Sequence, residues 1–165
     1  MMPEMIPKMQ TYKLLRVREG KLYPLYVEAD REMVIGIWLD ARVGELADAT
    51  HVKSRGGSPL SLRPGFHSTL VPFTDWIGKK GPGGRLYQRK DTVWCECEVE
   101  GDVEIVTDRR GLKRLPRDWY YFKTNTRQKD SWIISNSIRI IRILERTEVE
   151  EICKAHGLTA QPMEM

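Results

Sequence analysis

The apolar residues of this chain fall mainly in short strand-like runs separated by polar loops. A helical period appears only near the end. The cleanest run is "DTVWCECEVEG". Val93, Cys95, Cys97 and Val99 fall on one side and Trp94, Glu96, Glu98 and Glu100 on the other, which predicts a strand with one buried and one wet face. Nearer the start, "TYKLLRVREGKLYPLYV" carries two apolar runs, 12–17 and 22–27, around Glu19-Gly20-Lys21. That is a hairpin pattern, with Gly20 free to take the positive φ of a tight turn. Pro24 has no N–H to give a ladder, so the second run is expected at a sheet edge or irregular.

"MVIGIWL", 33–39, reads equally as a strand or as one helical turn. "WYYFKT" and "SWIISNSIRIIRIL" are the last strand candidates. The β-branched density of Ile133–Ile143 favours strand over helix, with Asn136 expected to mark a break. "TEVEEICKAHG" differs in kind. Thr147 as N-cap with Glu150 three residues on predicts a capping box. Val149, Ile152, Cys153 and His156 form one stripe, and Gly157 ends the helix. The polar, glycine-containing stretches 40–63, 79–91 and 107–117 predict mobile loops. The expected organisation is a flexible leader over 1–11, one domain over 12–158 and a frayed tail over 159–165. The expected fold is α+β: a mostly antiparallel, twisted sheet with a C-terminal helix packed on it.

Composition narrows the class. A chain of 165 residues with 41% hydrophobic and 30% charged residues suits one globular domain. No apolar run reaches the length of a membrane span, and the first ten residues lack the apolar core of a signal peptide. The expectation is a cytoplasmic protein without a membrane partner. Net charge is +4, which permits contact with nucleic acid or an anionic cofactor without requiring it. The basic residues gather in two places, Lys79-Lys80 with Arg85, Arg89 and Lys90, and Arg109-Arg110 with Lys113, Arg114 and Arg117; both read first as solvated loops. Three cysteines, two of them as C-x-C on one strand face, fit small buried thiols better than a zinc site or a disulfide scaffold.

Candidate chemistry is sparse. Of the three histidines, only His67 has a defined setting, in "RPGFHSTLVPFTDWIG". "FHST" matches one half of a two-histidine phosphoesterase signature, but neither His51 nor His156 supplies the other half. Ser68 lies in no Gly-x-Ser-x-Gly elbow. "GKKGPGGR", 78–85, has the glycines and lysines of a phosphate loop but no Gly-Lys-Ser/Thr ending, and reads as a flexible surface loop. "RDWYYFKTNTR" mixes aromatic and basic residues, as base-stacking surfaces do, and as half-buried strands do too.

The ordered pieces "YKLLRV", "YPLYV", "IGIWLDA", "RPGFHST", "VWCECEV" and "WIISNSIRIIRILE" together resemble a family of uncharacterised small proteins of phages and bacterial mobile elements. The resemblance spans Tyr12 to about Glu151 and implies an accessory protein acting in a bacterial cytoplasm. The same pieces bear a more distant resemblance to ADP-ribosyltransferase-like folds. That resemblance implies NAD as cofactor, held by Arg16 and His67 with Ser68 and Thr69 lining the pocket. Those transferases carry a glutamate ahead of the closing strand. This chain has "RQKDSW" there, leaving Gln128 and Asp130 as the catalytic candidates. The other expectation is a non-enzymatic binding module that contacts a host protein or nucleic acid through the basic loops. No metal site is expected.

Overall fold

A computed structural model of the chain describes residues 8–25, 29–40, 66–74, 77–100, 120–121, 132–135 and 137–164. Its centre is an eight-stranded, curled antiparallel sheet: β1 (Lys8–Arg18), β2 (Lys21–Pro24), β3 (Trp38–Asp40), β4 (Phe66–Thr69), β7 (Thr92–Glu100), β8 (Tyr120–Tyr121), β9 (Trp132–Ser135) and β10 (Ser137–Ile143). The spatial order is β3-β10-β7-β1-β4-β9-β8, with β2 paired to β1 alongside. A separate two-stranded sheet joins β5 (Lys79–Lys80) to β6 (Leu86–Tyr87). One α-helix, α1 (Arg146–Ala155), follows.

The predicted first hairpin forms as β1 and β2, with Arg18 opposite Lys21. Its loop has only two residues, Glu19 and Gly20, at φ 51 and 76, the positive-φ pair that matches strand twist in a type I′ turn. Pro24 ends β2, which among the described residues pairs with β1 and no other strand, as suits a residue with no N–H to give. Within 33–39 only Trp38 and Leu39 enter a strand. Gly36 N–H donates to the Ile140 carbonyl (2.7 Å), holding the preceding residues as a loop against β10. β9 ends at Ser135 and β10 begins at Ser137; Asn136, expected to mark a break, lies outside the described residues.

Strand alternation divides the sheet into two faces. On one, which carries Cys95 and Cys97, Leu15, Leu22, Met33, Phe66, Val99, Ile133, Ile138 and Ile140 form a core. On the other, Tyr12, Leu14, Trp94 and Leu144 receive Val149 and Cys153 of α1 and Ala160 beyond it. We call these the cysteine face and the helix face. Trp94, expected on a wet surface, is 3% exposed because the helix lies over its end of β7. The glutamates further along the same strand face stay partly exposed. There Glu98 pairs with Arg139 and Glu96 with Arg142.

The helix starts earlier than its sequence suggested. Glu145, not Thr147, is the N-cap, in a reciprocal capping box with Glu148. Tertiary contacts fix that start. Leu144 N–H donates to the Trp94 carbonyl (2.8 Å), and Arg142 pairs with Glu148 (2.7 Å). At the other end Leu158 N–H reaches the Cys153 carbonyl and Gly157 N–H the Lys154 carbonyl, the paired bonds of a Schellman motif. His156, placed on the buried stripe by periodicity, is exposed; its Nδ1 lies 2.9 Å from the Ile152 carbonyl oxygen.

Both ends of the domain extend past their expected limits. Lys8 to Thr11, assigned to the leader, continue β1 opposite Glu100 to Cys97. Residues 159–164, assigned to a frayed tail, pack down: Ala160 and Gln161 are buried, and Met163 forms a parallel bridge with Gln88. No described helix is long and apolar enough to cross a membrane.

Candidate functional site

The glycine-rich stretch expected to be a mobile loop is a hairpin. Lys79 pairs with Tyr87 and Lys80 with Leu86, and a 3-10 turn over Pro82–Gly84 closes it. The glycine amides serve the turn itself: Gly81 N–H donates to the Arg85 carbonyl (2.8 Å) and Gly84 N–H to the Gly81 carbonyl (3.1 Å). Gly81 also lies under the Tyr87 ring, where a side chain would collide with it.

The hairpin's base is tied to the chain beyond α1. Gln88 N–H donates to the Pro162 carbonyl (2.8 Å), and Glu164 N–H to the Gln88 carbonyl (2.9 Å). The Glu164 carboxylate accepts the Lys90 backbone N–H (2.9 Å) and pairs with the Lys79 ammonium (3.3 Å). Those two partners, the amide first, hold its carboxyl below the ordinary range.

Between the turn and the post-helix segment lies a groove of about 520 Å³, within the range of small-ligand sites. Phe73, Arg85, Leu86, Leu158, Gln161 and Pro162 are among its walls. Gln161 is anchored from two sides. Its Nε2–H donates to the Ile77 carbonyl (3.0 Å), and Arg146 donates to its own carbonyl (2.6 Å). Its Oε1 is buried with no hydrogen-bond partner. Lys79, Lys80, Arg85, Arg89 and Lys90 are all exposed on this hairpin, and of these Lys79 is engaged with Glu164. The result is a shaped groove with Phe73 and Arg85 in its walls, on a hairpin that also carries the exposed Lys79, Lys80, Arg89 and Lys90.

The residues implied by the transferase resemblance are distributed differently. Arg16, on β1 opposite Thr92, pairs with Asp91 (3.4 Å) at the base of this same hairpin region. Tyr12 pairs with Thr69, so His67 and Thr69 share the helix face with Arg16 while Ser68 points to the cysteine face. His67 is half-buried, and its carbonyl accepts the Lys13 ammonium (2.6 Å). Thr69 is fully buried, with its hydroxyl against the Val71 and Tyr12 carbonyls (2.5 and 3.2 Å). Gln128, Asp130 and His51 lie outside the described residues, as does the second basic cluster.

The cysteines are free and buried. Burial pushes the Cys95 thiol up to about 12 and Cys153 to about 11, and raises Cys97 as well, so all three are unreactive thiols at neutral pH. Among the described residues no cluster of His, Cys, Asp and Glu has metal-holding geometry.

Sequence reasoning passed over Gln161 and Glu164, because their segment was read as frayed, and Lys13, because an isolated lysine in "YKLLRV" looks like any wet-side residue. Comparison with family models, with curated proteins and with solved structures returned no match.

Proposed function

We propose that this chain is a non-catalytic binding module for single-stranded nucleic acid, engaged through the hairpin at 79–90 and the groove beside it. The observation that carries the reading is the ordered array of exposed cations on a hairpin that walls a groove of about 520 Å³. Single-strand binders combine a cationic track for phosphates with an aromatic surface for bases. Here Lys80, Arg85, Arg89 and Lys90 supply the track and Phe73 the aromatic wall. A rigid hairpin loses little entropy when a ligand docks, which favours affinity. The role agrees with the accessory function that the phage and mobile-element resemblance implies.

The test is fluorescence anisotropy with a short labelled single-stranded oligonucleotide at low salt, using wild type and the charge reversals Lys80→Glu and Arg85→Glu. Binding by wild type that both reversals weaken supports the reading. A folded wild type that binds no oligonucleotide at low salt overturns it. Unlabelled NAD belongs in the same assay as a competitor. Displacement that Arg16→Ala and His67→Ala abolish would favour the dinucleotide site instead.

A further inference from the structure

Residues 77–90, which run through β5 and β6, contain five lysines and arginines and no aspartate or glutamate. A carboxylate reaches this basic hairpin from far along the chain. Glu164, beyond α1, accepts the Lys90 backbone N–H (2.9 Å) and pairs with the Lys79 ammonium (3.3 Å). One lysine and one backbone N–H on an acceptor-only anion are the contacts that proteins make to the phosphates of a nucleic acid.

The carboxylate is fixed before any ligand arrives. The Glu164 N–H donates to the Gln88 carbonyl (2.9 Å), and Met163 bridges to Gln88 in parallel. The Glu164 side chain is 14% exposed, whereas that of Lys79 is 62% exposed. Exposed ion pairs contribute little when two long side chains must be ordered together. Here the backbone has already ordered the acid, so only the lysine loses freedom. A strand phosphate approaching Lys79 would also meet the like charge of a carboxylate tethered in place.

We propose that Glu164 is an autoinhibitory phosphate mimic. It occupies the hairpin's base, withholds Lys79 from the bound strand and keeps affinity below what five cations would give. This inference rests on the nucleic-acid reading of the hairpin. Gln161 and Pro162 wall the groove from the same segment, which therefore both builds the site and limits its strength.

The experiment is anisotropy titration of one single-stranded oligonucleotide across salt. Four proteins are compared: wild type, Glu164→Gln, Glu164→Gln/Lys79→Ala and Glu19→Gln. Glutamine keeps an oxygen for the Lys90 N–H and removes the charge. Glu19→Gln, at the exposed turn between β1 and β2, makes the same charge change far along the chain. One added phosphate contact should steepen the single-strand slope of Glu164→Gln by about 0.7. Its binding should tighten about 8-fold at about 50 mM salt and about 3-fold at about 200 mM. The double variant and Glu19→Gln should both match wild type. Loosening a purely structural tie would weaken binding, so the sign of the effect separates the two roles. Wild-type binding that Glu164→Gln leaves unchanged or weakens overturns the inference alone. So does a gain that the double variant keeps or that Glu19→Gln reproduces. No binding at low salt by either wild type or Glu164→Gln overturns the nucleic-acid reading and this inference together.

Discussion

The proposed nucleic-acid contact has a salt signature that follows from the ion pairs. Of the five exposed cations on the hairpin, Lys79 is held by Glu164 at 3.3 Å, which leaves Lys80, Arg85, Arg89 and Lys90 to meet phosphates. Each phosphate neutralised on a single strand contributes about −0.7 to the slope of log K against log salt. Four contacts give a slope of about −2.8, so raising salt from about 50 to about 200 mM should weaken binding roughly 50-fold. Arg85→Ala should bring the slope to about −2.1 and the loss to roughly 20-fold. Lys79→Ala is the internal control. Its ammonium is already paired, so its removal should leave the slope near the wild-type value. The assay is anisotropy titration of one oligonucleotide at four or more salt concentrations, with circular dichroism to confirm that each variant is folded. A flat wild-type slope refutes the reasoning, and so does a slope that Lys79→Ala changes as much as Arg85→Ala does.

Three stability predictions follow from the packing. Ile140, fully buried between β7 and the loop at Gly36, should cost about 2 to 5 kcal/mol as Ile140→Ala in urea unfolding. Ile143→Ala, at a position 42% exposed, should stay within about 0.5 kcal/mol. Gly78 sits at φ 148, and a Cβ there would lie 2.6 Å from the Tyr87 carbonyl oxygen. Gly78→Ala should therefore cost about 1 to 3 kcal/mol in denaturant and also weaken oligonucleotide binding, because the β5–β6 pairing must shift. The Glu148 carboxyl is held below its ordinary value of 4.5, first by the Glu145 backbone N–H and then by Arg142. Its stabilising contribution is present above that value and is lost as pH falls through the lower folded value. Glu148→Gln should accordingly be less stable than wild type at neutral pH and show a shallower loss of stability below pH 4.5, as read from unfolding midpoints across an acid series.

The elements whose cause is local were legible in the sequence. Alternation in "DTVWCECEVEG" defines β7, and Gly20 defines the first turn. What failed depended on distant residues. Trp94 is buried by a helix some fifty positions away, which alternation within one strand does not encode. The helix start moved from Thr147 to Glu145 because both have a glutamate three residues on, and the contacts of Leu144 and Arg142 with the sheet decide between them. "GKKGPGGR" reads as loop by composition. Its order comes from Gln88 and Glu164, whose partnership has no local trace. Lys13 resembles the lysines that face water, and only the neighbouring strands reveal its burial.

The parallel bridge between Gln88 and Met163 has a bearing on the order of events during synthesis. A ribosome finishes β5, β6 and β7 long before it makes the residues that hold the hairpin's base. Gln88 finds its two backbone partners only once Pro162 and Glu164 have emerged. Until then the cationic hairpin has no anchor to α1, and the groove lacks the wall formed by Leu158, Gln161 and Pro162. The groove is thus complete only after the residues beyond α1 have been made, long after the hairpin itself.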